Sequence, residues 1–336
     1  MKRGLKTVAL GGVASALTLL LAGWAAAPSR GAALSRLRSL GGTSLLASVL
    51  GSQRVPARAS QLPAGVSFRE SDGRGLLVRA WVNGSGPYDF AVDTGAGATI
   101  LSPRVAGEAR VEVEAGGRGI ELGGLSGQTV GGGQRAFPRS LALGFRENLL
   151  PGRGLVIVAR GLPSDIDGVL DPVESYAPYG FVIDLPGGEL RAFDPRATPV
   201  HQADAPPGGA VVRWLTDGTS RRPYVMLSEG RRALLDTGSG FGLAVDESAA
   251  RALGVIASGG RERGSTRDLA GGRVASRRVS AATVSIGPLV LRRVPTDLLL
   301  RAEKGAPVLL GRDALRPFRL TFDPLNRLVM LDPAEE

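Results

Sequence analysis

Two copies of the tripeptide Asp-Thr-Gly are the most chemically informative feature of this 336-residue chain. They lie at Asp93–Gly95 and Asp236–Gly238, and each follows an apolar run and begins a turn. A carboxyl group at the end of a buried strand is costly unless it is paired, hydrogen-bonded or protonated. Two such groups in matching contexts are therefore expected to meet. Two carboxyls that share one proton supply a general acid and a general base together.

The other residues of the two motifs suit a supporting role. Gly95 and Gly238 permit a tight turn in which backbone N–H groups point towards the carboxyls. Thr94 and Thr237 are predicted to hydrogen-bond across the two loops and to fix their register. The sequence therefore predicts Asp93 and Asp236 as the catalytic pair, supported by these four residues.

The chain lacks the residues that other hydrolytic mechanisms need. The chain has one histidine, His201, and no cysteine, which argues against a Ser-His-Asp triad, a Cys nucleophile and a thiolate metal site. No His-Glu-x-x-His spacing occurs either. We predict no metal and no cofactor, with His201 as a solvated linker residue. Carboxyls that activate water directly are the chemistry that remains.

The elements around the two motifs repeat, which predicts a duplicated β-lobe. The first motif follows a strand pair, Leu76–Val82 and Tyr88–Val92, and the second follows Tyr224–Leu227 and Arg232–Leu235. Each copy also ends in a similar predicted hairpin. Only short helices are predicted, near residues 103–108 and 246–253. The predicted fold class is all-β, with two similar lobes and a cleft between them.

Composition divides the chain into five predicted segments. These are a signal peptide or N-terminal membrane anchor (1–27), a basic linker or pro-segment (28–65), an N-terminal lobe (66–195), a Pro- and Gly-rich inter-lobe linker (196–209) and a C-terminal lobe (210–336). Because one chain carries both motifs, a monomer suffices.

The first 27 residues are typical of an export signal. Lys2, Arg3 and Lys6 precede an apolar stretch and then small residues. Cleavage after Ala25 gives a periplasmic or secreted protein, whereas an uncleaved segment 7–27 is long enough to anchor it in the inner membrane. Residues 28–65 are interpreted as a flexible spacer or, alternatively, as a basic pro-segment that covers an acidic cleft.

The charge distribution argues against a nucleic-acid partner. The formal net charge is +10, but residues 1–65 hold eight basic residues and no acid, so 10 − 8 leaves +2 for the remainder. Because the net charge of residues 66–336 is so close to zero, we expect no basic face of the kind that binds nucleic acid.

With these residues in view, the chain resembles aspartic proteases of the pepsin/retropepsin superfamily, most nearly the bacterial exported group. The resemblance covers about residues 66–334 and is carried by four stretches: 82–84, 90–99, 234–239 and Val308–Gly311. It implies hydrolysis of peptide bonds in a peptide or protein substrate, with Asp93 and Asp236 catalytic and no cofactor. The first copy departs from the pattern at Asp171, where the family has glycine.

The resemblance also implies a hairpin flap over the cleft. The candidate is the glycine-rich stretch 120–128, with Gly124, Ser126 and Gly127 at its tip. No tyrosine lies between Tyr88 and Tyr176, which favours a glycine-tipped flap of the retropepsin kind; an ordinary hairpin is the alternative.

Two further alternatives stay open. The arginine-rich stretch 261–278 is a solvated loop or, alternatively, a contact for acidic substrate residues or for an anionic envelope component. The whole protein is an aspartic endopeptidase or, alternatively, a non-catalytic peptide-binding or envelope scaffold on the same fold.

Overall fold

The computed structural model describes residues 62–71, 73–115, 119–123, 129–218, 221–256, 259, 261–267, 273–300 and 307–334. Strands dominate these residues, and the helices are short, which confirms the predicted all-β class. The predicted signal or anchor segment lies outside the described residues, as does nearly all of the predicted linker or pro-segment. No helix in the described ranges is long and apolar enough to cross a membrane.

The elements fall into two halves that are separated by the segment 196–209. The strands of the first half are β1 (Val66–Ser67), β2 (Arg69–Ser71), β3 (Gly75–Val82), β4 (Ser85–Val92), β5 (Thr99–Leu101), β6 (Glu112–Val113), β7 (Ile120–Gly123), β8 (Thr129–Phe137), β9 (Leu141–Leu143), β10 (Val156–Val158), β11 (Gly168–Leu170), β12 (Gly180–Asp184) and β13 (Glu189–Phe193). The strands of the second half are β14 (Ala210–Arg213), β15 (Tyr224–Met226), β16 (Arg232–Asp236), β17 (Leu243–Val245), β18 (Arg261–Arg267), β19 (Arg273–Arg278), β20 (Ala282–Ile286), β21 (Leu289–Val294), β22 (Thr296–Leu299), β23 (Val308–Gly311), β24 (Phe318–Asp323) and β25 (Leu328–Pro333). The α-helices are α1 (Pro103–Glu108), α2 (Pro172–Ser175), α3 (Glu247–Ala252) and α4 (Arg312–Leu315), and a 3-10 helix spans Gln202–Asp204.

The sheet of the first half is organised around the hairpin β3–β4. Its turn, Asn83-Gly84, has φ of 52° and 80° at the two residues, which is the left-handed conformation that tight hairpins favour. The strand order is β2-β3-β4-β11-β5-β10-β8-β6, with β7 beside β8 and β9 beside β3. β4 runs parallel to β11 and β5 parallel to β10, while the other contacts are antiparallel.

The sheet of the second half has the same pairing pattern. Its order is β15-β16-β23-β17-β22-β19-β18. β16 runs parallel to β23 and β17 parallel to β22, as β4 and β5 do with β11 and β10. The hairpin β18–β19 thus holds the position of β7–β8 in the first half. The second half therefore repeats the strand pairing that leads to and supports the first Asp-Thr-Gly.

A six-stranded sheet joins the two halves, in the order β1-β13-β12-β24-β25-β14. The terminal hairpins β12–β13 and β24–β25 meet through antiparallel pairing of β12 with β24, in which Phe181 lies opposite Phe322. The two rings stack with centroids 4.7 Å apart and are fully buried. Because backbone pairing and aromatic packing both cross between the halves, the two motifs are held by one continuous structure.

Candidate active site

Each Asp-Thr-Gly motif lies where a buried strand ends beside a parallel neighbour. In the first half, the Asp93 N–H donates to the Leu170 carbonyl at 3.0 Å, which extends the pairing of β4 with β11. In the second half, Asp236 ends β16 opposite Gly311 of β23. The apolar strands bury both carboxyl groups, since Asp93 and Asp236 are each only 8 % exposed.

The two loops are joined by reciprocal hydrogen bonds of their threonines, which are fully buried. The Thr94 N–H donates to Thr237 Oγ1 at 3.2 Å, and the Thr237 N–H donates to Thr94 Oγ1 at 3.1 Å. Each hydroxyl then donates to a strand carbonyl of the opposite half, Thr94 to Leu235 at 2.6 Å and Thr237 to Val92 at 3.1 Å. This network fixes the two motifs against each other, in the pattern that the sequence predicted for these threonines.

The glycines of the motifs allow the carboxyls to approach. A methyl group added at Gly238 would lie 2.3 Å from Asp93 Cγ, and one at Gly95 would lie 2.9 Å from Asp236 Cγ. Neither glycine has a positive φ, so close approach, rather than an unusual turn conformation, is what requires them. Each glycine thus packs against the carboxyl of the opposite loop.

Backbone N–H groups orient each carboxyl. The Gly95 N–H donates to Asp93 Oδ1 at 2.7 Å, and the Ser239 N–H donates to Asp236 Oδ1 at 3.0 Å. The two carboxyls are also close enough for each to shift the pKa of the other. They therefore form one unit that binds protons jointly.

The protonation of this pair is governed by burial. Burial raises the pKa of Asp93 well above its ordinary value, and repulsion by Asp236 raises it further. The hydrogen bond from the Gly95 N–H lowers this pKa in part. Burial also raises the pKa of Asp236, but the side chain of Asp93, the Ser239 N–H and the positive charge of Arg312 oppose it. Such a pair keeps one proton over a wide pH range, with one carboxyl protonated and the other ionised.

Asp171, the departure from the family pattern, takes the place that Gly311 has in the second half. It directly follows β11, is 2 % exposed, and caps α2 by accepting the Val173 N–H at 2.9 Å. Its own N–H donates to Thr99 Oγ1 at 3.2 Å. At Gly311 a methyl group would lie 2.3 Å from the Phe241 carbonyl, so only the first half has room for a side chain here. The pairing of β11 with β4 is retained beside it.

Arg312 is a site residue that the sequence analysis missed. It is 5 % exposed, and its guanidinium donates to the Thr237 carbonyl at 2.7 Å and to Glu70 Oε1 at 3.2 Å. A buried cation is tolerated when it is paired and hydrogen-bonded in this way. Glu70 belongs to β2 of the first half, so the ion pair also links the halves. The signal in the sequence was an arginine directly after the apolar run Val308–Gly311.

The remaining predicted site residues lie elsewhere. Strands β7 and β8 form a hairpin, but its tip, with Gly124, Ser126 and Gly127, lies outside the described residues. His201 is exposed in the segment between the halves. Within the described ranges, no three His, Cys, Asp or Glu residues are grouped so that they could hold a metal ion.

Comparison with known proteins supports an aspartyl protease family. Residues 228–314 match a family model described as aspartyl protease. The matched stretch contains Asp236–Gly238, β23 and Arg312, but not the first motif. No curated protein matches the chain.

Proposed function

We propose that this chain is an aspartic endopeptidase in which Asp93 and Asp236 activate a water molecule. The observation that carries the proposal is the reciprocal threonine network, which brings two buried carboxyls from equivalent loops side by side. One carboxyl takes a proton from the attacking water, while the other donates a proton to the carbonyl oxygen of the peptide. The family match to residues 228–314 supports the same chemistry.

The wider organisation belongs to the same proposal. The repeated pairing of the two sheets favours two pepsin-like lobes, 66–195 and 210–336, with the substrate in a cleft between them. A monomer is then complete, because both carboxyls come from one chain. The proposed location is outside the cytoplasm, in the periplasm or beyond, directed by residues 1–27 as a cleaved signal or as an anchor.

The experiment is cleavage of a mixed peptide library from about pH 3 to about pH 8, the range over which carboxyl pairs titrate. The wild type is compared with Asp93→Asn and Asp236→Asn, with and without a statine-type inhibitor. The matched control is Asp246→Asn, since Asp246 caps α3 by accepting the Ala249 N–H and asparagine caps a helix equally well.

We expect the wild type and Asp246→Asn to cleave peptides, and both dyad variants and the inhibited enzyme to be inactive. A wild type that stays inert after removal of residues 1–65 would instead favour the non-catalytic scaffold. Peptide binding to the cleft would then be the activity to measure. A large gain of activity on removing residues 28–65 would support the pro-segment hypothesis, and unchanged activity the spacer.

A further inference from the structure

The two halves are alike around the dyad except for one residue behind each carboxyl, Asp171 in the first half and Arg312 in the second. Asp171 follows β11, whose Leu170 carbonyl accepts the Asp93 N–H. Arg312 follows β23, and its guanidinium holds the Thr237 carbonyl next to Asp236. A buried acid therefore lies behind one carboxyl of the pair, and a buried cation lies behind the other.

The groups around these two residues preserve the difference between an acid and a cation. Asp171 interacts electrostatically with Asp93, Glu174 and Arg221, and Arg221 Nη1 is 3.8 Å from Glu174 Oε2. Arg312 faces Asp236 and is partly neutralised by Glu70, which also accepts a hydrogen bond from Arg316 at 2.9 Å. Tyr224 also lies near Asp236, and burial raises the pKa of Tyr224, so it stays neutral.

We propose that Arg312, and Asp171 once it is ionised, are positioning residues that polarise the pair, so that Asp93 holds the shared proton and Asp236 carries the negative charge. This inference rests on the proposed function and assigns the roles within it. Asp236 takes a proton from water as the water oxygen bonds to the peptide carbon. The π electrons of the carbonyl move to its oxygen, which takes the proton of Asp93. On collapse, Asp236 protonates the leaving nitrogen, Asp93 regains a proton from the diol, and the C–N bond breaks.

The proposal predicts opposite effects of the two charges on the pH profile of kcat/KM. Arg312 favours the anion, so Arg312→Gln should move the acidic limb upward by about one unit. Asp171 ionises above about pH 7, where its charge favours the protonated form of Asp93, so Asp171→Asn should move a basic limb that lies above this pH downward. Arg312→Lys keeps the charge and should leave the acidic limb near its wild-type position. A purely structural role would lower activity without moving either limb.

Glu70→Gln covers the case in which Arg312→Gln does not fold. The Glu70 side chain is 38 % exposed, so this variant keeps the core. It frees the charge of Arg312 from its partner and should therefore move the acidic limb downward, opposite to Arg312→Gln. Limbs that stay in place in Glu70→Gln and Asp171→Asn, or that move in the reverse directions, would overturn the proposal.

A second readout separates this proposal from the proposed function. Carboxyl carbons of ¹³C-labelled aspartate are titrated by NMR in the full chain, with Asp93→Asn and Asp236→Asn assigning the signals. We expect the signal of Asp236 to titrate at lower pH than that of Asp93, and each to shift in the variants as above. If peptides are not cleaved but the titrations follow this order, the polarisation stands and the endopeptidase function fails. The reverse order overturns the polarisation alone.

Discussion

At the level of single residues, the glycines of the motifs set how closely the carboxyls approach. We predict that Gly238→Ala destabilises the protein by about 1–3 kcal/mol, because the added methyl meets Asp93 Cγ at 2.3 Å. Any peptidase activity should fall about 100-fold, since displacements near 1 Å are enough for such a loss. Urea unfolding and kcat/KM measure the two effects.

The control for this substitution is Gly107→Ala. Gly107 lies in α1, and a methyl group there would meet nothing within 4 Å. Alanine is the better helix former, so this variant should be as stable as the wild type or about 0.5–1 kcal/mol more stable. Equal behaviour of Gly107→Ala and Gly238→Ala would show that the close packing at Gly238 is unimportant.

The threonine network makes a separate prediction. In Thr94→Val the Thr237 N–H loses its acceptor and the Leu235 carbonyl loses its donor, both in a buried site. We expect a loss of about 1–3 kcal/mol in the free energy of unfolding, because unsatisfied buried polar groups are costly. Thr94→Ser keeps the hydroxyl and should lose less than Thr94→Val, measured in the same urea titration. A Ser variant as unstable as the Val variant would point to the methyl group instead.

At the level of elements, the sequence indicated strands more reliably than side-chain partners. The hairpins before both motifs and helix α1 match their predicted positions to within a few residues, because apolar runs and turn residues such as Asn83-Gly84 are local signals. The partner of Arg312 could not be predicted, since Glu70 lies 242 residues away. Pairing at such a distance depends on how the halves pack, which no local pattern encodes.

The two terminal hairpins differ in how their turns are held, which gives a prediction for equivalent positions. Asp323 is fully buried and accepts the N–H groups of Val200, Leu325 and Asn326 at 2.9–3.0 Å. Asp184 accepts the Gly187 N–H at 2.8 Å and Arg319 Nε at 2.9 Å, and is partly exposed.

We therefore expect Asp323→Ala to cost about 3 kcal/mol or more and Asp184→Ala about 1–2 kcal/mol. Thermal and urea unfolding compare the two variants with the wild type. Equal losses would mean that the segment 196–209 gains nothing from its bond to Asp323.

At the level of the whole molecule, a buried acid makes stability depend on pH. Burial raises the pKa of Asp171 to about 7, and repulsion from Glu174 adds to the effect. In the unfolded chain an aspartate has a pKa of about 3.9. Below about pH 4 the Asp171 carboxyl is protonated in the folded and unfolded states, so it adds no pH dependence to the free energy of unfolding. Between about pH 4 and about pH 7 only the unfolded state releases the proton, so the stability of the fold declines as pH rises and then levels off.

Asp171→Asn isolates this contribution, because asparagine can still accept the Val173 N–H but does not titrate. Any change in stability caused by the amide itself is the same at every pH. The pH dependence of the difference in unfolding free energy between variant and wild type therefore reports the titration of Asp171. We expect the variant to gain about 2–4 kcal/mol relative to the wild type between about pH 4 and about pH 7. Urea unfolding across that range measures the difference, and stability curves that stay parallel would contradict a buried, neutral Asp171. Because the same carboxyl raises the pKa of Asp93, a stabilising variant that also shifts the basic limb would show that this acid affects both stability and the dyad.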